Sequence, residues 1–497
     1  MAQFFAAVDC GTSAIKTAIF KEDGRLKSVV NKPCLPEIKN RCRIEQDPQL
    51  LVDKIFLALK EAVKKAKVKP ASISSLSLST QRATIIPVGK DKKPLGNFIS
   101  WQDLRGGKVL GGFRRKISDK KYYKITGIPN NPIFSLAKIL WIKKKAPQIY
   151  KKTDKFLLLH SYLLKELGCE NYLEDYSNAS LTGLLDIKKL SWSKKILKAA
   201  GLDEKRLAEL TSSGKVIGFL SKEAAKRTSL KEGMPLVSGG GDQQCAACGA
   251  GAIKPGILEI TLGTAGVPLV YLPQPVFDPK MRVMCCAHLI KGRWGLEGFQ
   301  GCSGSSIQWL DRVTGGAGFG KAALAKAKES GPGAGGVLFY PYLAGAACPN
   351  WDPEAKGIFF GLTLNSTKPD LLRAVIEGIS FETKEILKLY SWLGIKVKEI
   401  RLTGGGSKND LWNQIQADIY QKKIFTLLNH QAALGGAAAL AAFGAGLDQS
   451  LEKTAIRFSK LDKIFYPDKS KRARYNKIYK QYKEIHKSLS KGDIFRK

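Results

Sequence analysis

A single carboxylate follows three consecutive glycines in the segment Ser238-Gly239-Gly240-Gly241-Asp242-Gln243. Glycines let the backbone approach a ligand closely, and the apolar run Met234 to Val237 before them and the small residues Cys245 to Ala252 after them predict a strand-to-helix turn. An acid at such a turn is placed either to act as a catalytic base or to cap the N-terminus of the helix. On its own the segment admits both.

A second acid, Asp9, opens the segment Asp9-Cys10-Gly11-Thr12-Ser13-Ala14-Ile15-Lys16, which lies between the strand-like runs Phe4 to Val8 and Ile15 to Phe20; a third such run spans Arg25 to Asn31. This reads as a tight hairpin whose glycine and hydroxyl residues offer donors to an oxyanion. Mg²⁺ keeps most of its waters and is often held by one or two carboxylates plus phosphate, which is a role Asp9 can fill. A purely structural turn explains the same residues. The arrangement recurs in Ile257 to Val267, where Leu262-Gly263-Thr264-Ala265-Gly266 again joins two strand-like runs. Two domains of related topology, each with a phosphate-binding hairpin, account for the repeat. In the last third, a strand over Glu399 to Thr403 meets Gly404-Gly405-Gly406 and then an amphipathic helix running to Asp418. Glycines there let a base or phosphate lie against the backbone, and helix N-terminal N–H groups favour negative charge. The spacing is not GxxxxGK[ST], so the P-loop mechanism does not apply.

The elements that position these residues must come from a chain of 497 residues, which exceeds the size at which one core stops growing and predicts two domains of roughly 250 residues each. Hydrophobic residues at 44% suit a globular enzyme. Met-Ala-Gln at the start leads into a short apolar run that meets Asp9, with no basic n-region, so no secretory signal is expected. The most apolar stretch, Gly435 to Leu447, reads as a tightly packed internal helix, so no membrane association is expected. The ten cysteines are irregularly spaced, which predicts reduced thiols and a cytoplasmic location; Cys245 and Cys248 form the single CxxC and read as small residues packing a helix. The four histidines are dispersed, which gives no metal-site spacing.

Lys+Arg 81 against Asp+Glu 43 gives a net charge of +38, which raises nucleic acid or another polyanion as a partner. The lysines instead recur over surface-type segments such as Lys60 to Lys69, Lys143 to Lys152 and Lys469 to Lys491. With no aromatic-interleaved pattern among them, they read as solvated helix faces, and nucleic acid is not the expected partner.

The hairpin Asp9 to Lys16, the turn Gly239 to Gln243, Leu262-Gly263-Thr264, the segment Thr403 to Asp418 and the small-residue stretch Leu434 to Ala442 resemble the FGGY family of carbohydrate kinases, in that family's order. Further matches are Glu45-Gln46-Asp47-Pro48, Trp101 to Arg105, Lys138 to Trp141, Pro341 to Gly345 and Pro349 to Pro353, so the resemblance extends from residue 4 to residue 485. It implies an α/β architecture of two actin-like (ribonuclease-H-like) domains with a cleft between them, over residues 1–247 and 248–497, using ATP and Mg²⁺ on a sugar or polyol. Carried over by position, Asp242 matches the general base and Gln243 its sugar-binding neighbour, with Gln81, Arg82, Trp101, Gln102 and Asp103 on the sugar side. Asp9 matches the acid near magnesium, and Thr12, Ser13, Lys16, Gly263 and Thr264 match the phosphate-binding hairpins. Gly304, Gln308, Gly405, Gly406 and Asn409 match positions lining the nucleotide site.

The chemistry is consistent with this assignment. A sugar hydroxyl is a poor nucleophile, so a carboxylate within hydrogen-bond reach accepts its proton as it attacks the γ-phosphorus in line. Departures bear on the substrate. Glycerol kinases carry Arg-Glu where this chain has Arg82-Ala83 and an aromatic at Ile133, while xylulokinases carry Met-His at the former pair. The overall pattern resembles the xylulokinase-like branch, which implies a ketopentose, with glycerol, a tetritol or a hexulose as alternatives. Ala83 leaves room for a ligand larger than glycerol, and Arg82 is either a substrate contact or a structural ion pair. His160-Ser161-Tyr162 stands where relatives commonly have Asp before Tyr, so a hydrogen bond is expected to be lost there. The acidic and polar stretch Glu174 to Ser180 is explained mostly by surface capping. Tyr475 to His486 reads as a final amphipathic helix. Two other classes compete with a kinase: an actin-like ATPase that does conformational work, and a polyanion-binding protein without activity. A homodimer is kept open as the assembly.

Overall fold

The structure, a computed structural model, describes residues 3–40, 42–315, 325–492 and 494, so Met1 and Ala2 of the N-terminal run lie outside it. The chain divides into two compact units, one made of Met1–Ile253, Leu272–Leu296 and Ala432–Lys460, the other of Lys254–Tyr271, Glu297–Gln431 and Leu461–Lys497. Two segments of the second half, Leu272–Leu296 and Ala432–Lys460, thus fall in the first unit. Packing of the helix Ala432–Gly444 explains one of them. Its Ala441 carbonyl accepts a 2.7 Å hydrogen bond from Ser75 Oγ, and its Gly436 lies so close to the helix Asp242–Gly249 that a Cβ there would sit 1.9 Å from the Cys245 carbonyl oxygen. Cys245 and Cys248 join that contact as buried apolar residues, as expected for small residues packing a helix.

The first unit is built on a sheet of six strands in the order Val216–Phe219, Pro235–Gly241, Ile73–Thr80, Phe4–Cys10, Ala14–Lys21 and Leu26–Pro33. Phe4–Cys10 is apolar on both faces and almost wholly buried, as a strand covered on both sides must be. One cover is the helix Pro48–Ala66. Asp47 caps it by accepting from the Leu50 N–H at 2.8 Å, Pro48 supplies the first helical residue, and Leu51, Ile55, Leu59 and Ala62 form its buried stripe. A separate antiparallel sheet of five strands orders Glu37–Asn40, Arg43–Gln46, Phe98–Ile99, Ile85–Gly89 and Thr153–Leu158, and it carries the polar residues described below.

The second unit repeats the pairing scheme. Gly266–Leu272 is antiparallel to Ile257–Leu262, which is parallel to Glu399–Thr403, then parallel to Ile424–Leu427, which is antiparallel to Leu461–Phe465. The first unit runs antiparallel, parallel, parallel and antiparallel in the same way from Ala14–Lys21 to Val216–Phe219. This bears out two domains of related topology. The helix Lys368–Trp392 carries a capping box between Thr367 and Asp370, and the helix Arg472–Lys491 buries Tyr475, Tyr479 and Tyr482 as the amphipathic spacing predicts. All ten cysteines are free thiols, and among the described residues no helix is long and apolar enough to cross a membrane.

Candidate active site

Asp242 is the first residue of the helix Asp242–Gly249, and Gly241, with φ −64° and ψ 146°, is the residue in the capping position. The carboxylate is therefore one step past the cap. Its Oδ1 accepts from its neighbour's N–H, Gln243, at 2.8 Å and from Arg82 Nε at 3.2 Å, and the side chain is 27% exposed. The preceding glycines are required by close approach: a Cβ on Gly239 would sit 1.7 Å from the Leu78 carbonyl oxygen and one on Gly241 would sit 2.3 Å from Arg82 Cδ. Gln243 Oε1 is shut off from solvent and has no hydrogen-bond partner among the described residues.

At the end of Phe4–Cys10, Asp9 pairs in register with Lys16 across the hairpin and with Ser79 on the parallel strand. Ser79 Oγ donates to its Oδ1 at 2.8 Å. Burial pushes the Asp9 carboxyl above its usual range, while the positive field of Lys16 and the Ser79 bond pull it back. The hairpin closes through Gly11 N–H to the Ala14 carbonyl at 3.1 Å, leaving Gly11 and Thr12 partly exposed and Ser13 exposed. Trp101 Nε1 donates to Thr12 Oγ1 at 2.8 Å, and Gln46 Nε2 donates to the Thr12 carbonyl at 3.2 Å. Gln81 extends the chain by donating to Gln46 Oε1 at 2.7 Å, so Gln81, Trp101 and the hairpin form one hydrogen-bonded group.

Asp103 departs from the expected sugar-side role. It is fully buried, and its oxygens accept from Ile44 N–H at 2.8 Å and from Arg105 Nε and Nη2 at 2.9 and 2.7 Å. Its charge is spent on holding Arg105, which also reaches Glu45 at 2.6 Å.

The expected loss at His160 is corrected too. The imidazole is wholly buried, its Nε2 accepts from Gly239 N–H at 3.1 Å, and its Nδ1 lies 3.0 Å from Glu174 Oε1. Glu174 and Asp175 are 1% and 0% exposed, so the cap that Asp175 provides to the helix Tyr176–Ser180 is buried and not at the surface. Asp175 Oδ1 accepts from Ser177 and Asn178 N–H groups at 2.8 and 3.1 Å and from Ser177 Oγ, and Ser177 Oγ in turn accepts from Gly241 N–H at 2.8 Å. His160, Glu174 and Asp175 bring their side-chain donor atoms within 4.8 Å of one another, which is compact enough for an ion, yet the carboxylate oxygens are already engaged in hydrogen bonds.

In the second unit the hairpin at Gly263 and Thr264 supports the N-terminus of the helix Gly304–Val313. Gly304 N–H donates to the Gly263 carbonyl and Ser303 N–H to the Thr264 carbonyl, both at 2.9 Å, and a Cβ on Gly304 would sit 2.6 Å from the Gly263 oxygen. Thr264 and Gln308 are exposed. Gly404 has φ +77° and abuts Leu262, whereas a Cβ on Gly405 would meet no atom within 4 Å. Asn409 spends its Oδ1 on the Trp412 N–H at 2.8 Å, capping the helix Asp410–Tyr420. Glu259, which no motif singles out, is buried beneath the hairpin, where its Oε1 accepts from Thr261 Oγ1 at 2.7 Å and Thr403 Oγ1 at 2.5 Å. An acid flanked by apolar neighbours on a buried strand, with a hydroxyl two residues on, is the signal the sequence offers for it.

Residues 4–249 match the model of the FGGY family of carbohydrate kinases, N-terminal domain, and residues 258–445 match that of the C-terminal domain. The chain belongs to this family. It is 32% identical to a xylulose kinase of Bacillus subtilis, over 97% of each chain, and 30% identical to a glycerol kinase of Thermococcus gammatolerans, again over 97% of each. Among solved structures it is similar to a gluconate kinase from Lactobacillus acidophilus, with a TM-score of 0.90 and 27% identity over 98% of each chain. This carbohydrate kinase accordingly has the two-domain α/β, actin-like (ribonuclease-H-like) fold and transfers phosphate from ATP to a sugar or polyol.

Proposed function

We propose that this kinase transfers the γ-phosphoryl group of ATP to a hydroxyl of a ketopentose or a closely related sugar, with Asp242 as the general base. The observation that carries the reading is the partly exposed Asp242 carboxylate, standing just past the cap of its helix beside Arg82 and Gln243. A carboxylate so placed can hydrogen-bond a substrate hydroxyl and take its proton as the oxygen attacks phosphorus. Gln81, Arg82, Trp101 and Gln243 would orient the sugar, whereas Asp103 would act only through Arg105. Support for a ketopentose comes from the similarity to a xylulose kinase and from Ala83, which brings no side-chain polar group to the turn where glycerol kinases carry Glu. Glycerol, a tetritol and a hexulose are the alternatives.

Asp9 fits a magnesium ion by the chemistry of its donor set: a hard carboxylate whose Oδ1 is fixed by Ser79 and whose Oδ2 takes no hydrogen bond from the described residues. The ion would neutralise charge on the phosphates. Thr12, Ser13 and Lys16 of the first unit and Gly263 and Thr264 of the second would contact phosphate oxygens, and Gly304, Gln308, Gly405 and Gly406 would border the nucleotide. Asn409 would contribute by fixing the helix that follows.

ADP release measured over pentuloses, hexuloses, sugar acids, polyols and glycerol, with Asp242→Asn alongside, tests the reading. A pentulose should stimulate turnover most, and the variant should lose it by roughly a hundredfold or more. Preference for another acceptor would move the substrate assignment, and wild-type turnover by the variant would remove Asp242 as the base.

A further inference from the structure

We propose that His160 is a positioning residue for phosphoryl transfer, holding the glycine turn that carries Asp242 through the acceptor lone pair of its Nε2. The proposal rests on the reading of Asp242 as the base.

The strand that delivers Asp242 is interrupted on one side of its sheet, while on the other the Ser238 backbone bonds Lys215 and Gly214 at 2.8 Å each. Its parallel register with Ile73–Thr80 shifts between Val237 and Gly240, so Ser238 and Gly239 lie where the ladder is interrupted. The three glycines also have no side chains with which to lock the turn in place. Two of their N–H groups are taken by buried side chains from outside the sheet. Gly239 N–H goes to His160 Nε2 at 3.1 Å and Gly241 N–H to Ser177 Oγ at 2.8 Å. Each acceptor is backed by one of two consecutive acids: Glu174 stands 3.0 Å from His160 Nδ1, and Asp175 accepts from the Ser177 hydroxyl. Asp175 Oδ2 also faces the ring, at 3.7 Å from Nδ1.

The geometry assigns the tautomer. A nitrogen that accepts a backbone N–H carries no proton, so the ring proton sits on Nδ1, which lies 3.0 Å from Glu174 Oε1 without hydrogen-bond geometry. His160, Glu174, Asp175 and Ser177 are each 1% exposed or less, so water does not substitute for a lost partner without rearrangement. The base stands three residues beyond Gly239, and a displacement of about 1 Å at a reacting group costs on the order of 10²-fold in rate.

Two amides separate this role from a merely structural one. Asn at position 160 retains a donor for Glu174 but is too short to meet Gly239, whereas Gln places an acceptor oxygen near the position of Nε2. His160→Asn should lower kcat roughly tenfold to a hundredfold with the KM for ATP changed less than about twofold, and His160→Gln should restore most of the loss. In an Asp242→Asn background His160→Asn should cost nothing further, because its effect passes through the base. Should the Asn variant not fold, Ser177→Ala removes the companion contact at Gly241 and should show the same split between kcat and KM. The proposal is overturned by an unchanged kcat in the folded variants, by a Gln variant as slow as the Asn variant, or by an equal loss in the Asp242→Asn background. Full turnover by Asp242→Asn alone would instead remove the base, whatever the His160 variants do.

Discussion

Arg82 Nε stands 3.2 Å from Asp242 Oδ1, with the arginine side chain 6% and the aspartate side chain 27% exposed. A guanidinium held this way orients the carboxylate and, with Asp242 as the proposed base, would border the path of the incoming hydroxyl. Hydrogen bonds to charged groups contribute about 1.5–3 kcal/mol, equivalent to a tenfold to hundredfold change. Arg82→Met should therefore lower kcat/KM for the sugar by at least about tenfold while the KM for ATP moves less than twofold. Arg82→Lys should not restore it, since an ammonium lacks the side-on Nε donor. Steady-state kinetics with each substrate varied decide the point. A fall in melting temperature with unchanged kinetics would make the pair structural.

Asp9 is the nearly buried acid at the end of the first strand, and Asn in its place keeps the shape while removing the charge. Asp9→Asn should reduce kcat by roughly a hundredfold and require more free Mg²⁺ for half-maximal rate, while chelation by EDTA should stop the wild-type enzyme. ADP release titrated with Mg²⁺ is the measurement. An unchanged metal dependence in the variant would take Asp9 out of that role.

Features signalled within a few residues were legible in the sequence. Both Gly-Thr hairpins are announced by apolar runs on either side of a glycine turn, and both form where expected. What was illegible depends on partners far along the chain. Ser75 meets Ala441 across 366 positions, which is how the helix Ala432–Gly444 comes to belong to the first unit. His160 meets Gly239 across 79 positions, so a histidine whose local context suggests a lost hydrogen bond in fact makes a new one. Asp103 shows the converse error. Its neighbour Trp101 does contact the hairpin, but two residues further on Arg105 claims the Asp103 carboxylate, and no local pattern reveals which of the two directions a side chain takes.

Two glycines should respond in opposite ways to alanine. A Cβ at Gly436 would lie 1.9 Å from the Cys245 carbonyl oxygen, so the two helices must part, and Gly436→Ala should lose about 1–3 kcal/mol or more, seen as a lower urea midpoint. At Gly405, with φ −65° and nothing within 4 Å, alanine has space and no backbone strain. Gly405→Ala should therefore keep the melting temperature and raise the KM for ATP several-fold by narrowing the approach of the nucleotide to the backbone. An unchanged KM would place the nucleotide elsewhere.

Glu382 offers a test of the second unit's interior. It lies on the helix Lys368–Trp392, its Oε2 accepts from Gln300 Nε2 at 3.1 Å, and burial pushes its carboxyl from 4.5 up to about 8. Between those values the folded protein keeps a proton that the unfolded chain has lost, so the stability from this group is complete below the unfolded value and declines as pH rises through the window. Glu382→Gln is neutral throughout and preserves an acceptor for Gln300. Its urea midpoint should exceed that of the wild type at about pH 8.5 and converge with it near pH 5. Since other groups titrate in both proteins, the difference between them isolates this carboxyl. A difference that is the same at both pH values would mean that Glu382 is ionised in the folded state and held by a partner charge.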